Sequence, residues 1–465
     1  MKGARPYTRI EAARQVREAK AKLHSAAPPL VALELVDRLQ AFLDDEMGNG
    51  AGGGSYLKPL RELRLDYMFQ SGADATVASR APGSSTDLVD ARQFALNYNN
   101  YGIDYSEHHN AQLLFESEAR LGEYLLLSAR PLFEFQQDGA VGSLHLLHGK
   151  AALGLGPLEL SVGRQSLWWG QGRHGSLVLT NNAKPLDMLR ITNPSPVLLP
   201  WIFKYLGPFR FDVFWSELEK ERVVPEPYFS GLRLQFKPLP WFEIGASRAV
   251  MFGGEGLPDI GLDEFITILG GKNLEGGEDT SNSVAALDAR LRLPFLWGAE
   301  VYGEYGGEDE AGHFLANDAW LAGLLLPRIE PSGRLSLRLE YADLSKIDNN
   351  SPPWYRHGTF RSGYTYEGKV LGHHAGGAAK DVSGELQMLL PKGVTVTVGV
   401  DYEQRGFDQE VKEKHNQGTL KADWAVNRTL ALSIRYGIDK IDNFEFESGN
   451  DKTHHMAMVG LHGSW

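Results

Sequence analysis

The chain contains no cysteine. Disulfides and thiolate metal sites are therefore excluded, and an oxidising compartment would be met without thiol chemistry. No window of about 18 uncharged apolar residues occurs either, which excludes a membrane-spanning helix. Positive charge is in the minority: 47 Lys and Arg stand against 59 Asp and Glu, a formal net charge of -12. A nucleic-acid partner is excluded on that balance, because phosphates need a basic face. The acidity is dispersed and forms no acidic tail. Catalytic signatures are missing too. There is no Gly-x-Ser-x-Gly elbow, no His-Glu-x-x-His, no phosphate-binding loop and no dinucleotide fingerprint.

What the chain does have is glycine (52 residues), aromatics (10%) and a change of period. Near the N-terminus, Thr8 and Glu11 have the spacing of a capping box. Ala12, Val16, Ala19 and Leu23 then recur at helical steps. Pro28-Pro29 breaks that helix, and Val31, Leu35, Leu39 and Phe42 form the apolar stripe of a second. The spacing predicts a helical hairpin over residues 1–47 and a glycine-rich linker over 48–55.

From residue 56 to 465 the period is 2. Leu335, Leu337, Leu339 and Tyr341 alternate with Ser336, Arg338 and Glu340. Val394 to Tyr402 and Leu430 to Tyr436 do the same, as do Leu287 to Leu293 and Leu232 to Phe236. The last strand alternates up to Trp465, and a closing strand with a terminal aromatic is read here as a membrane-insertion signal. Tyr and Trp sit near the ends of apolar rows, as at an aromatic girdle. A soluble sandwich would alternate as well, but it rarely sustains steady strand spacing over about 400 residues. At roughly 22–24 residues per strand plus connection, the region holds about 16–18 strands. Lipid admits only helices and closed barrels. The fold expected is an all-β transmembrane, antiparallel outer-membrane barrel with a small N-terminal α-helical hairpin. Met1-Lys2-Gly3-Ala4-Arg5 leads into no apolar signal segment. For an outer-membrane protein, the numbering is then expected to start after removal of an export signal.

Long polar or proline-rich stretches are expected as extracellular loops: 71–87, 170–200, 253–283, 306–319 and 347–381. Pro238-Leu239-Pro240 and Leu390-Pro391-Lys392-Gly393 are expected as periplasmic turns. Lumen-facing positions read as mixed charge. Arg233, Arg290, Arg292, Arg338 and Arg435 are offset by Asp288, Glu300, Glu304, Glu340, Asp401 and Glu403. Such a lining could be a cross-braced plug or a ladder for a hydrated polymer, with bracing the default. The pairs His108-His109, His373-His374 and His454-His455 are read as solvated, since adjacent strand residues face opposite ways. Glu308-Asp309-Glu310 is read as a solvated loop.

The densest segment runs from Arg164 to Leu177. Tryptophan faces stack on sugar rings, and Arg or Gln can hydrogen-bond hydroxyls or carboxylates. Arg164, Gln165, Trp168, Trp169, Gln171 and Arg173 are therefore candidate polysaccharide contacts. Their plainer reading is barrel packing.

At this segment the chain resembles the capsule-assembly Wzi family of outer-membrane barrels. The resemblance rests on Gly163-Arg164-Gln165, Trp168 to Gly172, Gly175-Ser176-Leu177, Glu243 to Arg248, Met251 to Gly256, Glu308 to Gly312, Tyr364 to Gly368 and Leu371-Gly372-His373. It implies a barrel of about 18 strands, a periplasmic helical bundle, no cofactor or metal, and work on surface polysaccharide by attachment or translocation. Partners expected are that polysaccharide, outer-membrane lipid and a periplasmic polysaccharide-export protein met by the N-terminal helices. Gln171 stands where members more often have proline, and the 48–55 linker is longer than the family pattern. The alternative is a general porin for small solutes. An outer-membrane lipase or deacylase has no visible nucleophile–base arrangement behind it.

Overall fold

The structure, a computed structural model, describes residues 1–23, 30–43, 54–77, 91–137, 142–258, 261, 281–308, 318–347 and 353–465. Eighteen antiparallel strands close into one barrel. Each strand pairs with its sequence neighbours, and the first, Tyr56–Ser71, pairs with the last, Lys452–Ser464. That pairing matches Leu65 with Leu461 and Tyr67 with Val459, so no sheet edge is left open.

Alternation decides which face meets lipid. On the strand Val394–Arg405, Val400 is 62% exposed while Asp401 beside it is 8% exposed. The same split puts Leu287, Leu339, Ile434 and Val459 outward. Exposed aromatics collect in two belts. One contains Tyr67, Trp215, Tyr228, Tyr305, Trp320 and Tyr402, near the long connections. The other contains Tyr124, Trp201, Tyr205, Trp241, Trp297, Trp424 and Trp465, near the short turns. Two aromatic belts flanking an apolar band are the signature of a membrane barrel.

Two helices, α1 (Arg9–Leu23) and α2 (Leu30–Phe42), precede the barrel and pack through Ala13, Val16 and Leu43. The Thr8 hydroxyl accepts from the Glu11 amide at 3.2 Å, half of the expected capping box. Glu34 on α2 accepts from Arg334 in a short turn at 2.9 Å, which places the hairpin at the short-turn end. Residues 24–29 and 48–53 lie outside the described residues, so Pro28-Pro29 and most of the linker are not placed.

The largest departure from expectation concerns the loops. The segment 170–200 is not one extracellular loop, because Leu186–Thr192 inside it is a barrel strand. Residues 170–185, together with most of 353–378, fold into the barrel, whereas 193–200 lie at the short-turn end. There Trp169, Leu177, Trp354, Tyr355, Tyr364 and Leu371 join wall residues such as Phe214, Phe229 and Tyr302 in one buried apolar cluster. These loops are amphipathic, and the apolar half is satisfied only inside the lumen. Loop residues 78–90, 259–260, 262–280, 309–317 and 348–352 lie outside the described residues, and with them Asp309 and Glu310 of the acidic run.

Candidate functional site

An 18-stranded barrel is too wide for its own short side chains to fill. Its inward-facing charges would be wet if the lumen were open. Instead Arg233, Arg290, Glu300, Glu304, Glu340 and Asp401 are all buried. Arg233 holds Asp288 at 2.7 Å, and Arg190 holds Asp212 through two bonds of 2.6 and 2.7 Å. Arg290 pairs with Glu300. The mixed lining is therefore a brace, and the infolded loops are what bury it. Arg292, by contrast, is exposed near the short-turn end. Arg338 and Arg435 are half-buried; they donate to the Tyr302 hydroxyl at 2.9 Å and the Leu96 carbonyl at 3.0 Å. The filling is uneven. Arg130, Glu62, Glu116 and His462, on the opposite wall, keep partial exposure.

The tryptophan-rich segment is the first infolded loop, and wall carboxylates hold its backbone. Glu304 accepts from the Gly172 amide at 2.9 Å, the Leu177 amide at 2.9 Å and the Ser176 hydroxyl at 3.0 Å. Glu340 accepts from the amides of Arg173 and His174, both at 2.8 Å. Gly170 has φ 140°, and a side chain there would collide with Glu304 and Ser176. Gln171, fully buried, donates to Asp288 at 2.6 Å and accepts from Arg290 at 2.8 Å. Residues 2–5 thread in from the short-turn end. Ala4 and Arg5 pair with Trp169 and Trp168, and the Lys2 ammonium reaches Glu300 at 2.6 Å.

This placement reassigns part of the sequence-predicted site. Trp168 and Trp169 are buried, the first under the Arg5 guanidinium at 4.9 Å and the second against Phe214 at 5.3 Å. Neither ring has a face free for a sugar, because closing the lumen has used both. Gln165 and Gln171 are buried as well. Arg164 and Arg173 keep exposed surface. The solvated reading of the histidine pairs is also corrected. His108 and His109 are exposed, but His373, His374 and His454 are buried because the loops carrying or covering them fold inward.

Arg164 lines a cleft of about 310 Å³ at the long-loop end, near the lower limit of ordinary ligand pockets. Tyr101, Asp104, Glu134, Gln136, His145, Lys184, Tyr366 and Glu367 complete its polar and aromatic lining. Burial, then the charge of Glu367, push the Tyr366 phenol up to about 12, so it remains an O–H donor near neutral pH. Sequence reasoning found only Arg164 here. The other residues come from five separate segments whose meeting no local pattern records. It also missed Glu243, which accepts from the Lys2 amide at 2.7 Å, although Glu243 lies within a stretch on which the family resemblance rests.

A family model described as capsule assembly protein Wzi matches residues 78–456. The chain belongs to the Wzi capsule-assembly family. A 55.8 kDa protein in the cps region of Klebsiella pneumoniae is 31% identical over 170 residues, 36% of this chain and 33% of that protein. The match thus spans about a third of the relative's length. Among solved structures, Escherichia coli Wzi has a TM-score of 0.72 at 19% identity, covering 100% of this chain and 94% of that one. It is described as an outer-membrane protein involved in group 1 capsule assembly and as a carbohydrate-binding β-barrel. Acinetobacter baumannii OccAB2 follows at a TM-score of 0.50 and 10% identity, covering 89% and 98%. At these identities the structural likeness speaks for the fold alone. With the family established, the two aromatic belts are those of an outer-membrane barrel. In outer-membrane barrels the short turns face the periplasm and the long loops face outward. Most stretches that carry the family resemblance prove to be plug residues or the wall beneath the plug.

Proposed function

We propose that the protein is a non-enzymatic receptor that retains capsule-type polysaccharide at the outer surface, an anchor and not a conduit. The observation that carries this reading is the burial of the inward wall charges under loops that fold in from the extracellular end. A hydrated polymer in transit would need those charges wet. The plug also weighs against a general porin for small solutes. The cleft around Arg164, Lys184, Tyr101 and Tyr366 offers what a sugar polymer uses: aromatic rings and, in the Arg164–Asp187 and Lys184–Glu367 pairs, donors and acceptors for hydroxyls. The carbohydrate binding described for the Escherichia coli neighbour supports the same reading.

Two measurements test it. In planar bilayers the purified protein should give no large conductance steps, and cells lacking it should shed polysaccharide into the medium. Large steps, or polysaccharide trapped inside the cell, would make it a conduit. The double substitution Arg164→Ala with Lys184→Ala should lower surface-retained polysaccharide at unchanged barrel abundance. Unchanged retention would remove this cleft from the role.

A further inference from the structure

Beneath the plug, four side chains from four elements converge on one point. His174 comes from the first infolded loop and His374 from the second, while Asp381 and Asp401 come from the wall strands Ala379–Leu389 and Val394–Arg405. One ligand atom from each lies within 4.8 Å of all the others. We propose that these four residues bind a first-row divalent transition-metal ion, with Zn²⁺ the best match, and that the ion fastens both plug loops to the barrel wall.

Three of the six ligand separations are close to those of a coordination shell, the shortest of them also a hydrogen bond. His174 Nε2 lies 3.0 Å from Asp401 Oδ2 and 3.3 Å from Asp381 Oδ2, and His374 Nε2 lies 3.3 Å from Asp381 Oδ2. Four ligands placed about 2.0–2.2 Å from a tetrahedral ion are separated from one another by roughly 3.3–3.6 Å. A second observation is independent of that spacing. Asp381 is 2% exposed and His374 is 1% exposed, yet Asp381 Oδ2 and both ring nitrogens of His374 make no directed hydrogen bond. Asp401 Oδ1 and Glu403 Oε1 are likewise without one. Buried polar atoms without partners are rare and costly. Asp381 Oδ2 and His374 Nε2 lie 3.3 Å apart without hydrogen-bond geometry, as two ligands of one ion would, while His374 Nδ1 is on the far side of its ring.

The donor set selects the class of ion. Two imidazoles with two carboxylates suit zinc, manganese or iron, whereas calcium and magnesium prefer oxygen alone. Charge favours a cation as well. Asp381, Asp401 and Glu403 are gathered in one place, and the nearby Arg405 is committed to Glu403. Neighbouring groups hold the ligands in place, though His374 Nδ1 makes no hydrogen bond of its own. Tyr98 stacks on the His374 ring at 4.3 Å and meets the His174 ring edge-on at 5.0 Å. Glu340 holds the His174 amide, and Glu403 Oε1 lies 3.1 Å from His374 Nε2, within reach of a fifth ligand position. The pair His373-His374 thus contributes one ligand through a loop, which strand alternation could not foresee.

The test uses the full chain in detergent, stripped with chelator and titrated separately with Zn²⁺, Mn²⁺ and Ca²⁺ by calorimetry, with bound metal counted by elemental analysis. One equivalent of Zn²⁺ should bind, more tightly than Ca²⁺. Loss of an outer partner commonly weakens metal sites by 10–100-fold, so His174→Gln and Asp401→Asn should each weaken Zn²⁺ binding by about 100-fold or more. The double substitution His108→Gln with His109→Gln, at exposed histidines, should leave it unchanged. Chelator should also speed proteolysis of the plug loops in the native chain but not in Asp401→Asn. Where one variant does not fold, His374→Gln replaces it. No saturable binding, binding retained in the folded variants, or loss of binding in the His108/His109 variant would overturn the site.

Discussion

The Leu177 amide donates to the Glu304 carboxylate at 2.9 Å, joining a loop in mid-lumen to the barrel wall. The same carboxylate takes the Gly172 amide and the Ser176 hydroxyl. Replacing Glu304 by Ala strands two buried amides, each worth about 1–3 kcal/mol, while the Ser176 hydroxyl keeps the Trp169 carbonyl as acceptor. Glu304→Ala should therefore lower the heat-modifiability midpoint in detergent and raise conductance above that of the native barrel. A variant as stable and as silent as the native chain would show that the plug does not depend on this carboxylate.

Trp169 predicts a different pattern. Its ring is fully buried against Phe214 and has no outlet to the surface. Trp169→Ala leaves a cavity costing about 3–5 kcal/mol. The folded fraction should still bind polysaccharide with native affinity. A specific loss of glycan binding at native stability would return Trp169 to the binding site.

Val400 tests the membrane face. It projects outward while Asp401 projects inward. Val400→Arg should destabilise insertion into liposomes by about 2–4 kcal/mol if the position lies near the bilayer midplane. Urea titration of the refolded protein measures this, and a neutral result would mean that lipid does not cover that face.

Glu330 gives a pH signature at the short-turn end. Its carboxylate accepts from the Ser332 hydroxyl at 2.7 Å and from the Ser332 and Arg334 amides at 2.6 Å. The Ser332 hydroxyl, aided by these amides, holds its pKa down at about 2. Because the folded value lies below the ordinary 4.5, its stabilisation is complete above pH 4.5 and is lost as pH falls through about 2. Glu330→Gln should melt lower than the native chain at pH 7, with the two converging toward pH 2. A difference that persists at pH 2 would mean that the turn does not depend on the charge.

Much of this molecule is written locally. Period-2 alternation at Leu335–Tyr341 and Val394–Tyr402 and the capping residue Thr8 each act over a few residues. They fix strand, face and helix start wherever they occur. The residues that carry the family resemblance were legible for the same reason, as was the mixed sign of the lumen charges. Alternation reports which way a wall residue points, and it said nothing about what would cover it. Trp168, Trp169 and Gln171 looked like binding residues because a glycine-rich loop of aromatics and amides has the same composition outside a barrel as inside one.

The sequence alone determined the period, hence the strands, and the sidedness of each strand, hence a barrel with an apolar exterior. Only tertiary structure decided that the loops turn inward, since that depends on the free energy of filling a wide lumen, which no single segment encodes. The same infolding brings His174 and His374 to Asp381 and Asp401. It also assembles the cleft around Arg164 from segments far apart in the chain.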